Sequence, residues 1–179
     1  MESNFIVFCG EISSIYHTEK NNHIILRVSD GMNHVSFFIT DTKIKETFDY
    51  IVGERICLSG NIQSHSDSVN GKRFPPAIFV TSIWRSAYEW GFNKFFVSGK
   101  IVRIILNESC CTVILKTKNK YVSFIPITFY YKTDEILSLE PGMLISVSGK
   151  VQINKKKTEK GIRYYQNYVG FSNMLKKIG

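Results

Sequence analysis

The sequence predicts an all-β chain with short helices, built as two tandem copies of one five-stranded domain. Runs rich in aromatic and β-branched residues recur along its 179 residues, which is typical of strands. Three glycine pairs share one separation of 89 residues: Gly10 and Gly99, Gly53 and Gly142, and Gly60 and Gly149. A common offset at three places indicates an internal duplication.

Two further matches support the duplication and locate its irregularities. Ile25-Leu26-Arg27 matches Ile114-Leu115-Lys116 at the same offset, whereas Val35-Ser36-Phe37 matches Val122-Ser123-Phe124 at 87. The smaller offset predicts a turn that is two residues shorter in the second copy. We therefore expect a first domain over 1–84, a linker over 85–94 and a second domain over 95–179.

The first copy predicts three strands, a short helix and two more strands. The strands are expected over 5–16, 23–28, 34–39, 55–65 and 73–84, separated by turn residues such as Asp30-Gly31. Asp41 is the expected helix N-cap, Ile44, Phe48 and Ile51 have helical spacing, and Gly53 is expected to end the helix.

This order of elements is typical of the OB-fold barrel, in which a helix lies between the third and fourth strands. In the second copy Ile136 and Leu139 mark the corresponding helix before Pro141-Gly142. The sequence therefore predicts two tandem OB-fold five-stranded barrels. Another small Greek-key or SH3-like barrel is the alternative, and the position of the helix favours the OB fold.

Composition limits the class of partner. The chain carries 23 lysines and arginines against 15 acidic residues, a net charge of +8, which favours a polyanion. No apolar run is long enough to span a membrane, and the first residues lack a basic leader region. Cys9 and Cys57 are expected to be small core residues in a reducing cytoplasm, and none of the cysteines has zinc-site spacing.

Two long segments carry a resemblance to a known family. GERICLSGNIQSHSDSVNGKRF followed by TSIW, and GMLISVSGKVQINKKKTEKGIRYY, resemble the closing half of bacterial single-stranded DNA-binding (SSB) domains. FIVFCGEI and FFVSGKI are similar to the opening strand of that family. The resemblance implies sequence-tolerant binding of single-stranded DNA in replication, recombination or repair, without catalysis, and no cofactor is expected.

The chain also departs from that family. Its end, NMLKKIG, lacks the acidic tail that recruits other proteins, and Asp30-Gly31 is a short turn where many members have a long hairpin. These departures favour a specialised member, such as one of a phage, plasmid or other mobile element. Family members generally assemble four OB folds, so two per chain implies a homodimer or a self-sufficient monomer.

Alternation along the third strand of each copy predicts base-stacking residues. In the first copy Val35, Phe37 and Ile39 are assigned to the core, and His34, Ser36 and Phe38 to the outer face. In the second copy the outward residues are expected to be Tyr121, Ser123 and Ile125. Phe38 and Tyr121 are thus the stacking candidates, although a slip of one residue would exchange the two faces.

The hairpins between the last two strands supply cations beside aromatic rings. The first contains Lys72, Arg73 and Phe74, and the second, expected to bind more strongly, contains Lys155, Lys156, Lys157, Lys160, Arg163, Tyr164 and Tyr165. Such interleaving suits a groove that follows a nucleic-acid backbone, although a lysine run is also typical of a solvated loop. Trp84 and Trp90 are expected to pack the linker against a barrel.

Two other functions remain open from the sequence. OB folds also bind proteins, so a protein-interaction or assembly module is one alternative. RNA binding is the other, because stacking and phosphate contacts do not require deoxyribose. His17, His23, His34 and His65 lack a paired nucleophile or carboxylate, so an enzyme is not expected.

Overall fold

The computed structural model describes residues 3–19, 22–64, 75–87, 89–118 and 121–178, most of them in strands. The first half contains β1 (Asn4–Thr18), β2 (His23–Ser29), β3 (His34–Ile39), α1 (Thr42–Glu46), β4 (Arg55–Gln63) and β5 (Ala77–Arg85). The second half contains β6 (Phe92–Leu106), β7 (Cys111–Lys118), β8 (Val122–Phe129), α2 (Asp134–Leu137), β9 (Leu144–Thr158) and β10 (Gly161–Lys177). Among these described residues, no helix is long and apolar enough to cross a membrane.

The same pattern of strand pairing occurs in both halves. In the first, β1 pairs with β2 and β4, β2 pairs with β3, and β3 lies parallel to β5, which neighbours β4. In the second, β6 pairs with β7 and β9, β7 pairs with β8, and β8 lies parallel to β10, which pairs with β9. Each set of five strands therefore forms a closed circuit of pairings, in an OB-like all-β fold.

The chain forms two compact units. The first unit comprises 5–62 and 77–94, and the second comprises 1–4, 63–76 and 95–179. In the first, Phe8 and Phe37 are fully buried with ring centroids 5.1 Å apart. In the second, the ring of buried Tyr168 meets Phe95 edge-on at 6.0 Å, and its hydroxyl donates to the Pro76 carbonyl oxygen at 3.1 Å.

Four of the repeated glycines lie where strands come too close for a side chain. A Cβ at Gly10, Gly60, Gly99 or Gly149 would collide with the carbonyl oxygen of Ser29, Phe79, Lys116 or Val169, respectively. Gly10 and Gly60 face β2 and β5, and Gly99 and Gly149 face β7 and β10. The offset of 89 residues therefore marks the same two close approaches in each half.

The helix of the first half is shorter than the sequence predicts. Asp41 is its N-cap, as predicted, and its Oδ1 accepts from the Lys43 and Ile44 backbone nitrogens. The helix nevertheless ends at Glu46, with Thr47 as its C-cap, and it buries none of its residues. Short helices need a buried apolar side to persist, so the predicted extension to Gly53 is wrong. In the second half α2 buries Ile136 to 1% exposure.

The prediction for the first two cysteines is partly wrong. Cys9 and Cys57 are buried, but they form a disulfide between directly opposed residues of β1 and β4. Because neighbouring strand residues face opposite sides, both lie on the outer side of the sheet, away from core residues Phe8 and Leu58. Trp84, Trp90, Gly91 and Phe92 lie around the two cysteines on this outer side.

A pair of serines stands at the same place in the second half. Ser98 and Ser146 are directly opposed on β6 and β9, with 2% and 8% exposure. The Ser98 hydroxyl oxygen accepts from the Ser3 backbone nitrogen at 2.7 Å and lies 3.0 Å from the Ser3 hydroxyl. At this outer position the second half therefore has Ser98 hydrogen-bonded to Ser3, whereas the first half has a disulfide.

Candidate nucleic-acid interface

The outer face of β3 follows the predicted alternation. Val35, Phe37 and Ile39 are fully buried, whereas His34 is exposed and Phe38 is partly exposed. The Phe38 ring lies against Phe79 of β5, with centroids 5.7 Å apart. The first half therefore presents an aromatic pair on the outer face of β3 and β5, with the exposed Arg27 of β2 beside it.

The predicted outer face of β8 is wrong by one residue. Ser123 and Ile125 are buried, whereas Val122 and Phe124 are exposed and Pro126 is partly exposed. By alternation Thr128 lies on the same outer side, although it is only 7% exposed. Leu26 pairs with Phe37 and Leu115 with Ile125, so the structural offset here is 88 rather than 87. The Val-Ser-Phe match was accidental, and a one-residue shift exchanges the two faces of a strand.

Phe124 is the outward aromatic residue of β8 that the sequence analysis missed. It is 39% exposed and lies directly opposite Lys116 of β7, while Lys118 lies opposite Val122. Ile125, Ile127 and Phe129 form an apolar series with a period of two, and this series would have identified the buried face. Tyr121, the predicted stacking residue, is 57% exposed and precedes the strand.

A hydrogen-bonded ladder holds a second aromatic residue, Tyr130, just beyond β8. Its phenol oxygen accepts from the side-chain amides of Asn154 at 3.1 Å and Asn167 at 3.2 Å. The side-chain oxygen Oδ1 of Asn167 in turn accepts from the Thr128 hydroxyl at 3.1 Å. Tyr130 is 41% exposed, so the ladder fixes a ring that solvent still reaches. Alternating sequence patterns do not reveal such a cross-strand network.

The predicted cationic cluster of the β9–β10 hairpin is divided between two faces. Tyr164 is opposite Lys155, whose Nζ lies 6.0 Å from the ring centroid, and Ile162 is opposite Lys157. Arg163 is opposite Lys156, and Tyr165 is opposite Asn154. Each face therefore combines cations with one exposed tyrosine, rather than all of them lining one groove.

Only one face of this hairpin continues the outer surface of β8. Asn167 accepts a hydrogen bond from Thr128. Tyr165 and Arg163 are two and four residues before Asn167 on β10, so all three side chains lie on the same side of that strand. Lys156 likewise alternates with Asn154, which contacts Tyr130. Lys160 is exposed at the turn, and the predicted Lys72, Arg73 and Phe74 lie outside the described residues.

The second unit therefore presents one continuous surface, which we call the β7–β10 face. Its centre contains three exposed aromatic rings, those of Phe124, Tyr130 and Tyr165. Cations flank the rings on both sides: Lys116 and Lys118 on β7, and Lys156 and Arg163 on the hairpin. Aromatic rings can stack on unpaired bases while flanking cations contact phosphates, so this face has the chemistry of a single-strand binding surface.

The chain has the fold of a known DNA-binding protein. Wild-type single-stranded DNA-binding protein from Thermus aquaticus is similar to it, with a TM-score of 0.73 and 12% identity over 99% of this chain and 94% of that one. A deletion mutant of the same protein gives a TM-score of 0.73 at 11% identity, over 99% and 95% of the two chains. No protein-family model and no curated sequence matches the chain.

Proposed function

We propose that this protein binds single-stranded DNA with little sequence preference, without catalysis, through two tandem OB-fold barrels. The observation that carries the proposal is the β7–β10 face, where cations flank exposed aromatic rings. Stacking is sequence-tolerant because every base has a flat face, and each stacked base contributes about 1–3 kcal/mol. The likeness to the Thermus aquaticus protein supports the same function through a shared architecture.

The biological setting follows from the same proposal. Covering single strands protects them in replication, recombination or repair, and we place this chain in the cytoplasm, serving a mobile element. A homodimer would supply four barrels. We assign domains to 1–84 and 95–179, with 85–94 as the segment that connects them.

In a reducing compartment the Cys9–Cys57 disulfide would depend on protection from cellular thiols. Titrating the free thiols of the purified protein, before and after exposure to reductant, measures that protection.

Fluorescence anisotropy with labelled oligo-dT of several lengths, across a salt series, tests the proposal. We expect affinity to rise with length, to fall steeply with salt, and to be far weaker for duplex DNA of the same sequence. Matched RNA strands separate a preference for deoxyribose from general single-strand binding. Weak binding that is alike for every length would refute the proposal and favour a protein-interaction module.

A further inference from the structure

A pocket of about 350 Å³ lies within the first unit, on the outer side of β1 and β4. Its lining consists of apolar rings, sulfur and glycine: Cys9, Cys57, Trp84, Trp90, Gly91 and Phe92. The disulfide lies at the buried end, because both cysteines are less than a tenth exposed. The volume is at the lower end of the range of small-ligand pockets, which is about 300–1,000 Å³.

The three aromatic side chains that line this pocket leave much of their surface exposed to solvent. Trp90 is 82% exposed, Phe92 is 46% exposed and Trp84 is 44% exposed. The prediction that both tryptophans pack the linker against a barrel is therefore wrong for Trp90, which is largely exposed. Large aromatic surfaces left open beside one another are typical of a surface that a ligand covers.

The backbone around Trp90 makes contacts on both sides of that residue. At Gly91 a Cβ would collide with the Asp30 carbonyl oxygen, and the Asn93 amide donates to Asp30 Oδ2 at 2.8 Å. On the other side of Trp90, the Arg55 guanidinium donates to the Glu89 carbonyl oxygen. Trp90 and Phe92 thus project from a backbone that these contacts hold, which lowers the entropic cost of binding.

We propose that this pocket binds one unstacked base of the single strand, with the base lying against Trp90 and flanked by Phe92 and Trp84. This inference rests on the proposed function and adds a contact point on the first unit. A flat, neutral base fits because no charged side chain is among the six lining residues. A lining of rings and sulfur offers stacking without hydrogen-bond readout, so the pocket accepts any base.

The adjoining phosphate is assigned to Lys94. Lys94 is exposed and lies on the same side of β6 as Phe92, because the two are separated by one residue along the strand. Arg55 is not assigned to phosphate, because it already contacts Glu89 and lies directly opposite Glu11. The pocket therefore has an aromatic wall and a cation at its rim, as a nucleotide requires.

Tryptophan fluorescence tests this site directly, because the chain has two tryptophans and both line the pocket. During a titration with oligo-dT, we expect tryptophan emission to be quenched with the same midpoint as the anisotropy of a labelled strand. An abasic strand of equal length should bind through its phosphates without the same quenching. Binding by anisotropy with unchanged emission, or equal quenching by the abasic strand, would overturn the pocket while leaving the proposed function intact.

Substitution of the most exposed ring gives an independent test. Trp90→Ala should weaken binding about 5- to 150-fold, the loss of one stacked base, and Trp90→Phe should restore most of it. Tyr131→Ala, which removes a ring that is 79% exposed elsewhere, is the matched control and should bind like the wild type. Wild-type affinity in Trp90→Ala would contradict the site, and no anisotropy change in the wild type would instead refute the proposed function.

Discussion

The two halves have the same strand pairing but differ in what lies on the outside of the strands. On β1 and β4 the outer position is a disulfide beneath exposed tryptophans, whereas on β6 and β9 it is a pair of opposed serines, of which Ser98 is hydrogen-bonded to Ser3. On β3 the outward ring of Phe38 packs on a second ring, whereas on β8 Phe124 lies opposite a lysine. The core and the pairing fix the fold, so under the proposed function the outer faces are where the two halves would contact DNA differently.

Exchanging the disulfide for serines is the strongest test of this comparison. Cys9→Ser with Cys57→Ser gives the first half the residues of the second, but without the hydrogen bonds from Ser3. Because the disulfide closes a loop of 48 residues, we expect the free energy of unfolding to fall by about 2–4 kcal/mol. Urea unfolding measures the loss, and Cys110→Ser, which removes a free thiol, is the control. If reductant does not lower the urea midpoint of the wild-type protein, the disulfide does not contribute this stability and the expectation is contradicted.

The two phenylalanines provide the next test. Phe124→Ala should weaken oligo-dT binding by about 1–3 kcal/mol, because it removes a ring from the centre of the β7–β10 face. Phe38→Ala should cost less affinity, since part of that ring already packs on Phe79. Anisotropy titrations of both variants measure the difference, with Phe124→Leu as the variant that keeps bulk without a ring. Equal losses would mean that the halves bind alike despite their different surroundings.

The two faces of the β9–β10 hairpin can be compared with two double variants that each remove two positive charges. Substituting Lys156 and Arg163 with glutamine should reduce the slope of log binding constant against log salt concentration. We expect a reduction of about 0.7 per lost phosphate contact, or about 1.4 for the pair. Removing Lys155 and Lys157 in the same way should change it less, because those side chains do not lie on the β7–β10 face. If both pairs lower the slope equally, the strand contacts both sides of the hairpin.

Acid should loosen the first half through Asp30, the smallest of these effects. Burial alone would raise the pKa of Asp30, but donors from Asn33, Asn93 and the Met32 backbone outweigh it and lower that pKa below its ordinary 3.8. The carboxylate therefore stabilises the folded state above the ordinary value, and this contribution disappears as the pH falls through the lowered pKa. Asp30→Asn should lose this part of the pH dependence of urea unfolding, and an unchanged profile would contradict the assignment.

Most of the fold could be predicted from the sequence because strand alternation and turn residues act locally. The range of β3 matches its prediction, and Asp41 caps its helix as expected. The length of α1 could not be predicted, because its apolar spacing only matters if that side meets a core, and here it buries nothing. The pairing of Cys9 with Cys57 likewise depends on which residues of β1 and β4 are opposed.

Less of the candidate site could be predicted, for a physical reason that β8 illustrates. A strand position has only two orientations, so an alignment slip of one residue assigned Ser123 and Ile125 to the wrong face and missed Phe124. The hairpin cations were predicted as one cluster, although opposite residues such as Lys155 and Tyr164 share a face that their neighbours do not. The nucleic-acid roles of all these residues stay predictions.

The close approaches at Gly10, Gly60, Gly99 and Gly149 have a consequence for how this architecture tolerates change. The Thermus aquaticus protein shares this fold at only 12% identity, so the two chains differ at most positions. At these four positions even one methyl group would collide with the backbone of the adjacent strand. Distant relatives should therefore be found more readily by the spacing of four side-chain-free positions than by overall similarity, and a saturation library should be depleted first at these sites.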